Sequence, residues 1–326
     1  MARAHASTSA LDPLTALETM VLARRLDERM WALQRQGHAP FVVSGQGQEA
    51  AQVGAALALT PDEDYFLPYY RDVGVVLVAG MTPREIMLGF LGRAADPSSG
   101  GRQMPGHYGH ARRRIITGSS PVATQIAHAA GVTLAARMKG EHAVALVSFG
   151  EGSTSAGIFH EGVNFAAVHR LPVILLCENN GYAISVPLRQ QMAVTPLSER
   201  ARAYGIAGVT VDGMDPQAVF DATREAVERG RSGGGPTLLD CVTYRLTPHS
   251  SDDDDSSYRS PEEVAAWRRR DPLVTYRARL LEQGVLTDEV ERAMEARVAA
   301  QVDDATEHAL AAPVPRAEDA LRHVYA

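Results

Sequence analysis

Residues 144–185 have the sequence VALVSFGEGSTSAGIFHEGVNFAAVHRLPVILLCENNGYAIS, and this stretch decides the fold class. Two short apolar runs, at 144–149 and 173–177, stand on either side of an amphipathic segment at 154–169. Strands that are apolar on both faces are typical of a parallel sheet covered by helices on each side. The stretch therefore predicts one strand–helix–strand unit of such a sheet.

The same pattern continues towards the C-terminus of the chain. Apolar runs recur at 208–211 and 237–244, and an amphipathic segment at 216–229 separates them. We expect both faces of these strands to be buried as well. The predicted fold class is α/β, with a doubly wound parallel sheet.

Helical signals surround this sheet region on both sides. Asp12 and Pro13 suit the start of a long helix that ends near Gly37, and charge-rich helical segments follow Pro261. The predicted division is an N-terminal tail and helix (1–39), a ligand-binding α/β domain (40–260) and a C-terminal helical extension (261–326).

Composition restricts the class of partner. A net charge of -7 and a pI near 5.9 argue against a dominant attraction to nucleic acid or to an anionic membrane surface. The sequence has no apolar stretch of the roughly 20 residues that a membrane-spanning helix needs. Cys177 and Cys241 lie in apolar runs, which favours buried free thiols in a reducing compartment. We expect a cytoplasmic protein with small-molecule and protein partners, and a disordered tail at its first residues.

Polar residues follow two of the predicted strands at the point where each strand ends. Gly150-Glu151-Gly152 follows the first strand, and Asn179-Asn180-Gly181 follows the next. Ligands bind outside the carboxyl ends of strands in such sheets, so Glu151 and Asn180 are expected to converge. Mg²⁺ prefers oxygen ligands of this kind and takes the remainder from phosphate and water. Each motif alone also fits a plain turn, but the combination favours a metal-bridged diphosphate.

Five segments together resemble one known family. They are GGRQMPGHYG (100–109), GSSPVATQIAHAAG (118–131), SFGEGSTSAGIFHEGVNFAAV (148–168), ENNGYAIS (178–185) and TPHSSDDDDSSYR (247–259). They are similar to the α subunits of branched-chain 2-oxo-acid dehydrogenases, and the motif at 150–152 and 179–180 resembles the thiamin-diphosphate motif. The resemblance covers roughly residues 40–270, far more than one motif matches by chance.

The resemblance implies an activity and its partners. The activity is oxidative decarboxylation of a branched-chain 2-oxo acid with thiamin diphosphate, followed by transfer of the acyl group to the lipoyl group of a partner acyltransferase. Enzymes of this cofactor class need a second α/β domain to hold the pyrimidine ring, and 326 residues leave no room for one. We therefore expect a β subunit, and the resemblance implies an α2β2 heterotetramer.

The resemblance also implies roles for particular residues. Its magnesium ligands match Glu151, Asn180 and the carbonyl of Tyr182. The residues that it implies to contact the cofactor are Tyr70, Arg71, Ser120, Pro121, Val122, Gly150, Glu151, Gly152, Ser153, Asn180 and His249. The loop that it implies to bind potassium comprises Ser119, Pro121, Thr124 and Gln125.

Three of the matched residues are expected to act on the substrate. His249 matches a histidine beside the reactive thiazolium carbon, His107 one near the substrate carboxylate, and Tyr70 a residue that frames the substrate entrance. Histidine suits such positions because it donates and accepts protons near neutral pH. A purely structural role for His107 is equally compatible with its glycine-flanked loop.

Other matched positions also allow plainer structural explanations. Arg71 can form an ordinary ion pair with Asp72, although its guanidinium also suits a phosphate. Ser120 and Pro121 can begin a helix, as cap and first residue.

The chain departs from the family pattern at three positions. Glu151 replaces the family's commonest metal-binding aspartate and keeps the carboxylate. Glu178 stands where some members have a phosphate-binding arginine, which leaves Arg71 as the main guanidinium anchor. Pro248 replaces one of two adjacent histidines, as in bacterial members.

Alternative functions remain to be separated. Residues 45–50, GQGQEA, fit a loose dinucleotide fingerprint, which would suit a nucleotide-binding oxidoreductase. A non-catalytic regulatory subunit is another candidate, and pyruvate or acetoin are alternative substrates. The run Asp252–Asp255 lacks the ligand spacing of a calcium loop and predicts a solvated, mobile loop. The sequence does not decide whether Ser250 is phosphorylated.

Overall fold

The computed structural model describes residues 10–322, so residues 1–9 of the predicted tail lie outside the described range. The helices are α1 (Pro13–Arg35), α2 (Glu49–Leu57), α3 (Val73–Val78), α4 (Pro83–Phe90), α5 (Thr124–Met138), α6 (Gly157–Val168), α7 (Leu188–Gln191), α8 (Pro216–Arg231), α9 (Pro261–Arg268), α10 (Pro272–Glu282) and α11 (Asp288–Ala311). The strands are β1 (Tyr65–Leu67), β2 (Ala145–Gly150), β3 (Val173–Asn179), β4 (Tyr182–Ala183), β5 (Val186–Pro187), β6 (Ala207–Asp212) and β7 (Thr237–Val242).

Five strands form one sheet in the order β1-β2-β3-β7-β6, and every pairing within it is parallel. Helix α6 connects β2 to β3, and α8 connects β6 to β7. The predicted doubly wound parallel sheet is therefore confirmed. The sequence does not predict β1, because three residues are too few to show a periodicity.

The central strands bury side chains on both faces. Leu146 and Ile174 pack on one side with a core to which α1, α2, α8 and α11 contribute. Val147 and Leu175 point to the other side, where they pack with α5 and α6. Neighbouring residues of a strand face opposite ways, so a buried sheet of this kind needs apolar side chains at nearly every position.

The expectation of burial on both faces is wrong for β6. Most of its residues are exposed, including Val209, and Gly208 packs against the backbone of Ser198. The strand pairs only with β7 and forms an edge of the sheet. An apolar run in sequence does not distinguish a central strand from an edge strand, because both suit β-branched residues.

The N-terminal helix joins the body of the molecule. The Asp12 side chain accepts a hydrogen bond from the Leu14 amide, and Pro13 occupies the first turn, as predicted. Leu17 of α1, Val298 of α11 and Ile174 of β3 belong to one core. The proposed boundaries after residues 39 and 260 remain a prediction.

Between residues 10 and 322, no helix is both long enough and apolar enough to span a bilayer.

Candidate active site

A cavity of about 400 Å³ opens at the carboxyl ends of β2 and β3. Gly150 and Glu178 are partners in the pairing of these strands, so the turns that follow them are neighbours. The predicted site residues that line the cavity are Tyr70, Arg71, His107, Ser120, Val122, Gly150, Glu151, Gly152, Ser153, Asn180, Tyr182 and His249. Its volume lies within the range of small-molecule and cofactor pockets.

Glu151 is the acidic residue of this cavity. Its side chain is buried, and its oxygens accept hydrogen bonds from the Asn180 amide N–H (3.3 Å) and from Gln191 Nε2 (3.2 Å). Burial raises the pKa of the Glu151 carboxyl, and the hydrogen bond from Gln191 acts in the opposite direction. Within residues 10–322 no basic side chain forms an ion pair with it, so a cation fits this position.

Asn180 lies beside Glu151 and is also buried. Its Oδ1 accepts from the Tyr182 amide N–H (3.2 Å) and its Nδ2 donates to Gln48 Oε1 (3.2 Å). The Tyr182 carbonyl, the third predicted metal ligand, accepts a long hydrogen bond from Arg245 Nη1 (3.4 Å). One carboxylate, one amide oxygen and one backbone carbonyl are thus gathered at one edge of the sheet.

The turn after β2 requires glycine at one position. A Cβ atom on Gly152 would lie 2.7 Å from the Cβ of Ala183, closer than side chains normally approach. The missing side chain lets the 150–153 turn lie against the 180–184 segment.

Within the described range no group of three or more His, Cys, Asp or Glu side chains is arranged to hold a metal ion. A metal at Glu151 and Asn180 would therefore need oxygens from a ligand, as a diphosphate supplies.

Arg71 connects two loops of the site. It is buried, and its Nη1 donates to the Ser44 carbonyl (2.5 Å) while its Nη2 contacts His249 Nδ1 (2.9 Å) and donates to the His249 carbonyl (3.0 Å). The ion pair with Asp72, which the sequence also allows, does not form. Asp72 instead accepts hydrogen bonds from Ser148 and from the Tyr69 amide.

His249 is held in one tautomer by this contact. A guanidinium only donates, so Nδ1 must accept and the ring proton is on Nε2. Burial, with the nearby charges of Arg71 and Arg245, lowers the pKa of His249 to about 4. At neutral pH the ring is uncharged and carries its proton on Nε2, and the residue lines the cavity.

His107 also lines the cavity and has partners on both ring nitrogens. Nδ1 lies 2.9 Å from the Met104 carbonyl, and Nε2 lies 2.7 Å from Ser120 Oγ. A carbonyl can only accept, so Nδ1 has the proton and Nε2 accepts from the serine when the ring is neutral. His107 is therefore both a cavity residue and a structural link to the 118–122 loop.

The loop predicted to bind potassium is compact. Ser119 Oγ and Thr124 Oγ1 both donate to the Pro121 carbonyl, at 2.9 and 3.0 Å. Gln125 Nε2 makes a marginal contact with the Ser119 carbonyl at 3.5 Å. Pro121 itself is exposed and does not line the cavity, in contrast to Ser120 and Val122.

The prediction that Ser120 caps the following helix is wrong. Helix α5 begins at Thr124, and its cap residue is Ala123, whose φ of 70° separates the loop from the helix. This left-handed conformation is rare for residues other than glycine and is not visible in the sequence.

The acidic loop after β7 has more local structure than the sequence indicates. Asp253 accepts from the His249 amide (2.7 Å) and from the Tyr258 hydroxyl (2.5 Å). Asp255 pairs with Arg259, and a short 3₁₀ turn spans Asp255–Ser257. Asp253 and Asp255 therefore each have at least one partner, through a hydrogen bond or an ion pair, between residues 249 and 259. Mobility of the loop without ligand stays a prediction.

Several cavity residues escape the sequence analysis. They are Phe41, Val43, Tyr69, Met104, Pro105, Ala183 and Ile184. Most lie next to a recognised motif, but apolar side chains beside a motif give no signal that they face a ligand. Ile184 has a φ of 56°, which is unusual for a β-branched residue and marks a constrained backbone at the cavity.

The dinucleotide interpretation of residues 45–50 is wrong. No strand precedes the motif in the described structure, although α2 does follow it. Gly45 instead lies against the Arg71 carbonyl, where a Cβ atom would be 2.5 Å from the oxygen. The motif therefore packs against the backbone of Arg71, which lines the cavity.

The sequence matches the family described as "Dehydrogenase E1 component" over residues 17–318. It is 59% identical over 308 residues to "2-oxoisovalerate dehydrogenase subunit alpha" of Bacillus subtilis, which is 94% of this chain and 93% of that protein. It is 40% identical over 294 residues to "Pyruvate dehydrogenase E1 component subunit alpha" of Staphylococcus aureus, with 90% of this chain and 76% of that protein covered.

A third relative is "3-methyl-2-oxobutanoate dehydrogenase subunit alpha" of Mycobacterium tuberculosis, 40% identical over 280 residues, with 86% of this chain and 73% of that protein covered. These matches confirm the resemblance drawn from the five segments. The chain belongs to the dehydrogenase E1 component family, whose members depend on thiamin diphosphate.

Proposed function

We propose that this chain is the α subunit of a branched-chain 2-oxo-acid dehydrogenase and that its cavity holds the diphosphate half of thiamin diphosphate. The observation that supports this most directly is the placement of Glu151 and Asn180 on adjacent turns, with Arg71 and His249 lining the same cavity. Substrate choice is supported by the 59% identity to the 2-oxoisovalerate dehydrogenase subunit of Bacillus subtilis.

Different residues of the cavity would contact different parts of the cofactor. Glu151, Asn180 and the Tyr182 carbonyl would hold Mg²⁺, and Tyr70 and Arg71 would contact the diphosphate. The arginine suits this role because its charged guanidinium can donate a charge-assisted hydrogen bond to a phosphate oxygen. Ser120, Val122, Gly150, Gly152 and Ser153 would line the remainder of the bound molecule. Pro121, also predicted to contact it, would act through its backbone, since it does not line the cavity.

Thiamin diphosphate, when bound, supplies the carbanion that attacks the 2-oxo carbon and the electron sink for loss of CO₂. The chain's own residues would orient the substrate and donate hydrogen bonds to it. His249 is neutral with a hydrogen on Nε2, so it can donate a hydrogen bond to a substrate oxygen. His107, with Tyr70 beside it in the cavity, would contact the substrate carboxylate.

The proposal includes a β subunit, an α2β2 assembly and acyl transfer to the lipoyl group of an acyltransferase core. Support comes from the family match and from the rim of the cavity, where Met104, Val122 and Ile184 are exposed apolar side chains. We also assign the enzyme to the cytoplasm, which the buried, unpaired Cys177 and Cys241 favour. Potassium at Ser119, Pro121, Thr124 and Gln125 is part of the same proposal and is supported by their clustered oxygens.

The cofactor site is tested by calorimetry on the chain assembled with its β subunit. Glu151→Ala should weaken binding of thiamin diphosphate with Mg²⁺ by about 100-fold, the upper range for groups around a metal. Glu161→Ala is a matched control, because Glu161 is an exposed glutamate on α6. Equal affinity in Glu151→Ala and wild type would contradict the proposed site.

The reaction is tested by turnover on a substrate panel. The assembled enzyme should oxidise 3-methyl-2-oxobutanoate with a higher kcat/KM than pyruvate or acetoin, and the chain alone should release no CO₂. Activity of the isolated chain would contradict an active site that is shared with the β subunit. A preference for pyruvate would contradict the substrate assignment and leave the cofactor site standing.

A further inference from the structure

We propose that Gln48 is a positioning residue that fixes the orientation of the Asn180 amide, so that its oxygen and not its nitrogen faces the metal. This inference rests on the proposed function, because it takes Asn180 as a metal ligand. Gln48 belongs to the glycine-rich segment that resembles a dinucleotide fingerprint and binds no nucleotide in the proposed function.

Gln48 is fully buried behind the cavity (0% exposed). Its Oε1 accepts a hydrogen bond from Asn180 Nδ2 (3.2 Å). It also lies 3.2 Å from the Tyr69 hydroxyl, whose single proton is shared between Gln48 and Glu178 Oε2 (3.3 Å). The residue precedes α2, but its side chain makes no cap hydrogen bond to that helix. The side chain is therefore directed at the site and not at its own helix.

The direction of the Asn180 amide matters because its two ends differ. The nitrogen only donates hydrogen bonds and the oxygen only accepts them, so a rotated amide would present N–H groups to a cation. Gln48 provides an acceptor on the nitrogen side. On the other side the Tyr182 amide donates to Oδ1 (3.2 Å), which leaves a second lone pair of that oxygen for a ligand.

The amide nitrogen of Gln48 indicates which atom of the side chain the site uses. Its Nε2 is buried and has no hydrogen-bond partner within residues 10–322. An unpaired buried donor lowers stability, so glutamine is a poor choice here for folding alone. Its acceptor oxygen is the part of the side chain that the site uses.

The test measures metal affinity separately from stability. Gln48→Leu and Gln48→Met remove the acceptor and keep the approximate size, and each should weaken Mg²⁺ binding to the assembled enzyme about 10- to 100-fold at fixed thiamin diphosphate. The melting temperature without ligands should stay close to that of wild type, since both variants also remove the unpaired donor. Gln48→Glu keeps an acceptor oxygen and should restore affinity to within about threefold.

The control is Gln46→Leu, the same change two residues away. Gln46 Nε2 donates to Asp27, and within residues 10–322 the side chain does not contact Asn180. The Mg²⁺ affinity of the Gln46→Leu variant should therefore match that of wild type. Calorimetry gives the Mg²⁺ dissociation constant, and Mn²⁺ paramagnetic resonance reports the ligand environment independently of turnover.

The results separate this inference from the proposed function. Wild-type affinity in Gln48→Leu and Gln48→Met, with weak binding in Asn180→Ala, would overturn the role of Gln48 and keep the metal site. Wild-type affinity in Asn180→Ala would overturn both. Weak binding accompanied by a large fall in melting temperature in Gln48→Leu, Gln48→Met and Gln48→Glu alike would assign Gln48 to folding and so overturn the positioning role.

Discussion

Two sides of the cavity differ in how they are built. The enclosed side consists of Arg71, Glu151 and Asn180, and the rim consists of Met104, Val122 and Ile184. Glu151 is 1% exposed and Ile184 is 57% exposed. Polar side chains on the enclosed side have partners inside this chain, whereas the apolar side chains of the rim face outward. The comparison supports the proposal that this chain holds the diphosphate half of the cofactor and that a partner molecule covers the rim.

Arg71→Lys is expected to have the largest effect on the enclosed side. Lysine keeps the charge but cannot reach the Ser44 carbonyl and both contacts on His249 together. Loss of hydrogen bonds to a charged group costs about 3 kcal/mol, or roughly 100-fold in affinity for thiamin diphosphate. Calorimetry on the assembled enzyme measures this affinity for thiamin diphosphate. An affinity within a few-fold of wild type would show that the enclosed side is less rigid than its contacts indicate.

The stability of the empty assembly should depend on His249 at acid pH. Its folded pKa of about 4 lies below the ordinary 6.5, so the unfolded chain binds the proton more tightly. The stabilising contribution is fully present above pH 6.5 and is lost as the pH falls towards 4. Because the ring is partly exposed, the loss should be on the order of 1–2 kcal/mol.

The measurement is urea unfolding of wild type and His249→Gln at equal protein concentration across this pH range. The difference in unfolding free energy between the two proteins should shrink as the pH falls from 6.5 to 4. A constant difference would contradict the lowered pKa of His249.

The loop that contains His249 should respond to ligand. Arg245 and Arg259, the tryptic sites on either side of it, are 1% and 5% exposed, so cleavage requires the loop to open. Bound Mg²⁺ and thiamin diphosphate should slow cleavage at these sites about tenfold by stabilising the closed loop. Digestion followed by mass spectrometry measures both rates. Equal rates with and without ligand would show that the loop is not coupled to the site.

The smallest effect is expected on the rim side of the cavity. His107→Ala removes the contacts to Met104 and Ser120 but no contact to Arg71, Glu151 or Asn180. Cofactor affinity should fall by no more than about fivefold, the value of one ordinary hydrogen bond. The KM for the 2-oxo acid should rise more than this. A loss of cofactor affinity as large as that of Arg71→Lys would remove the distinction between the two sides.

Local sequence patterns were enough to predict the features that repeat along short stretches of chain. Alternating apolar runs and amphipathic segments identified β2, α6, β3 and β7, and the polar turns after β2 and β3 identified Glu151 and Asn180. Asp12 marked the start of α1. These signals are local, because burial on two faces, helix capping and tight turns each depend on a few neighbouring residues.

The contacts between side chains distant in sequence were visible only in the folded molecule. Arg71 and His249 are 178 residues apart in sequence, and Gln48 and Asn180 are 132 apart. Periodicity indicates which face of an element is buried, but it contains no information on the element that packs there. Tertiary packing also sets the exposed edge at β6 and the left-handed backbone conformations of Ala123 and Ile184. Each depends on how whole elements pack and on local strain that the rest of the fold stabilises.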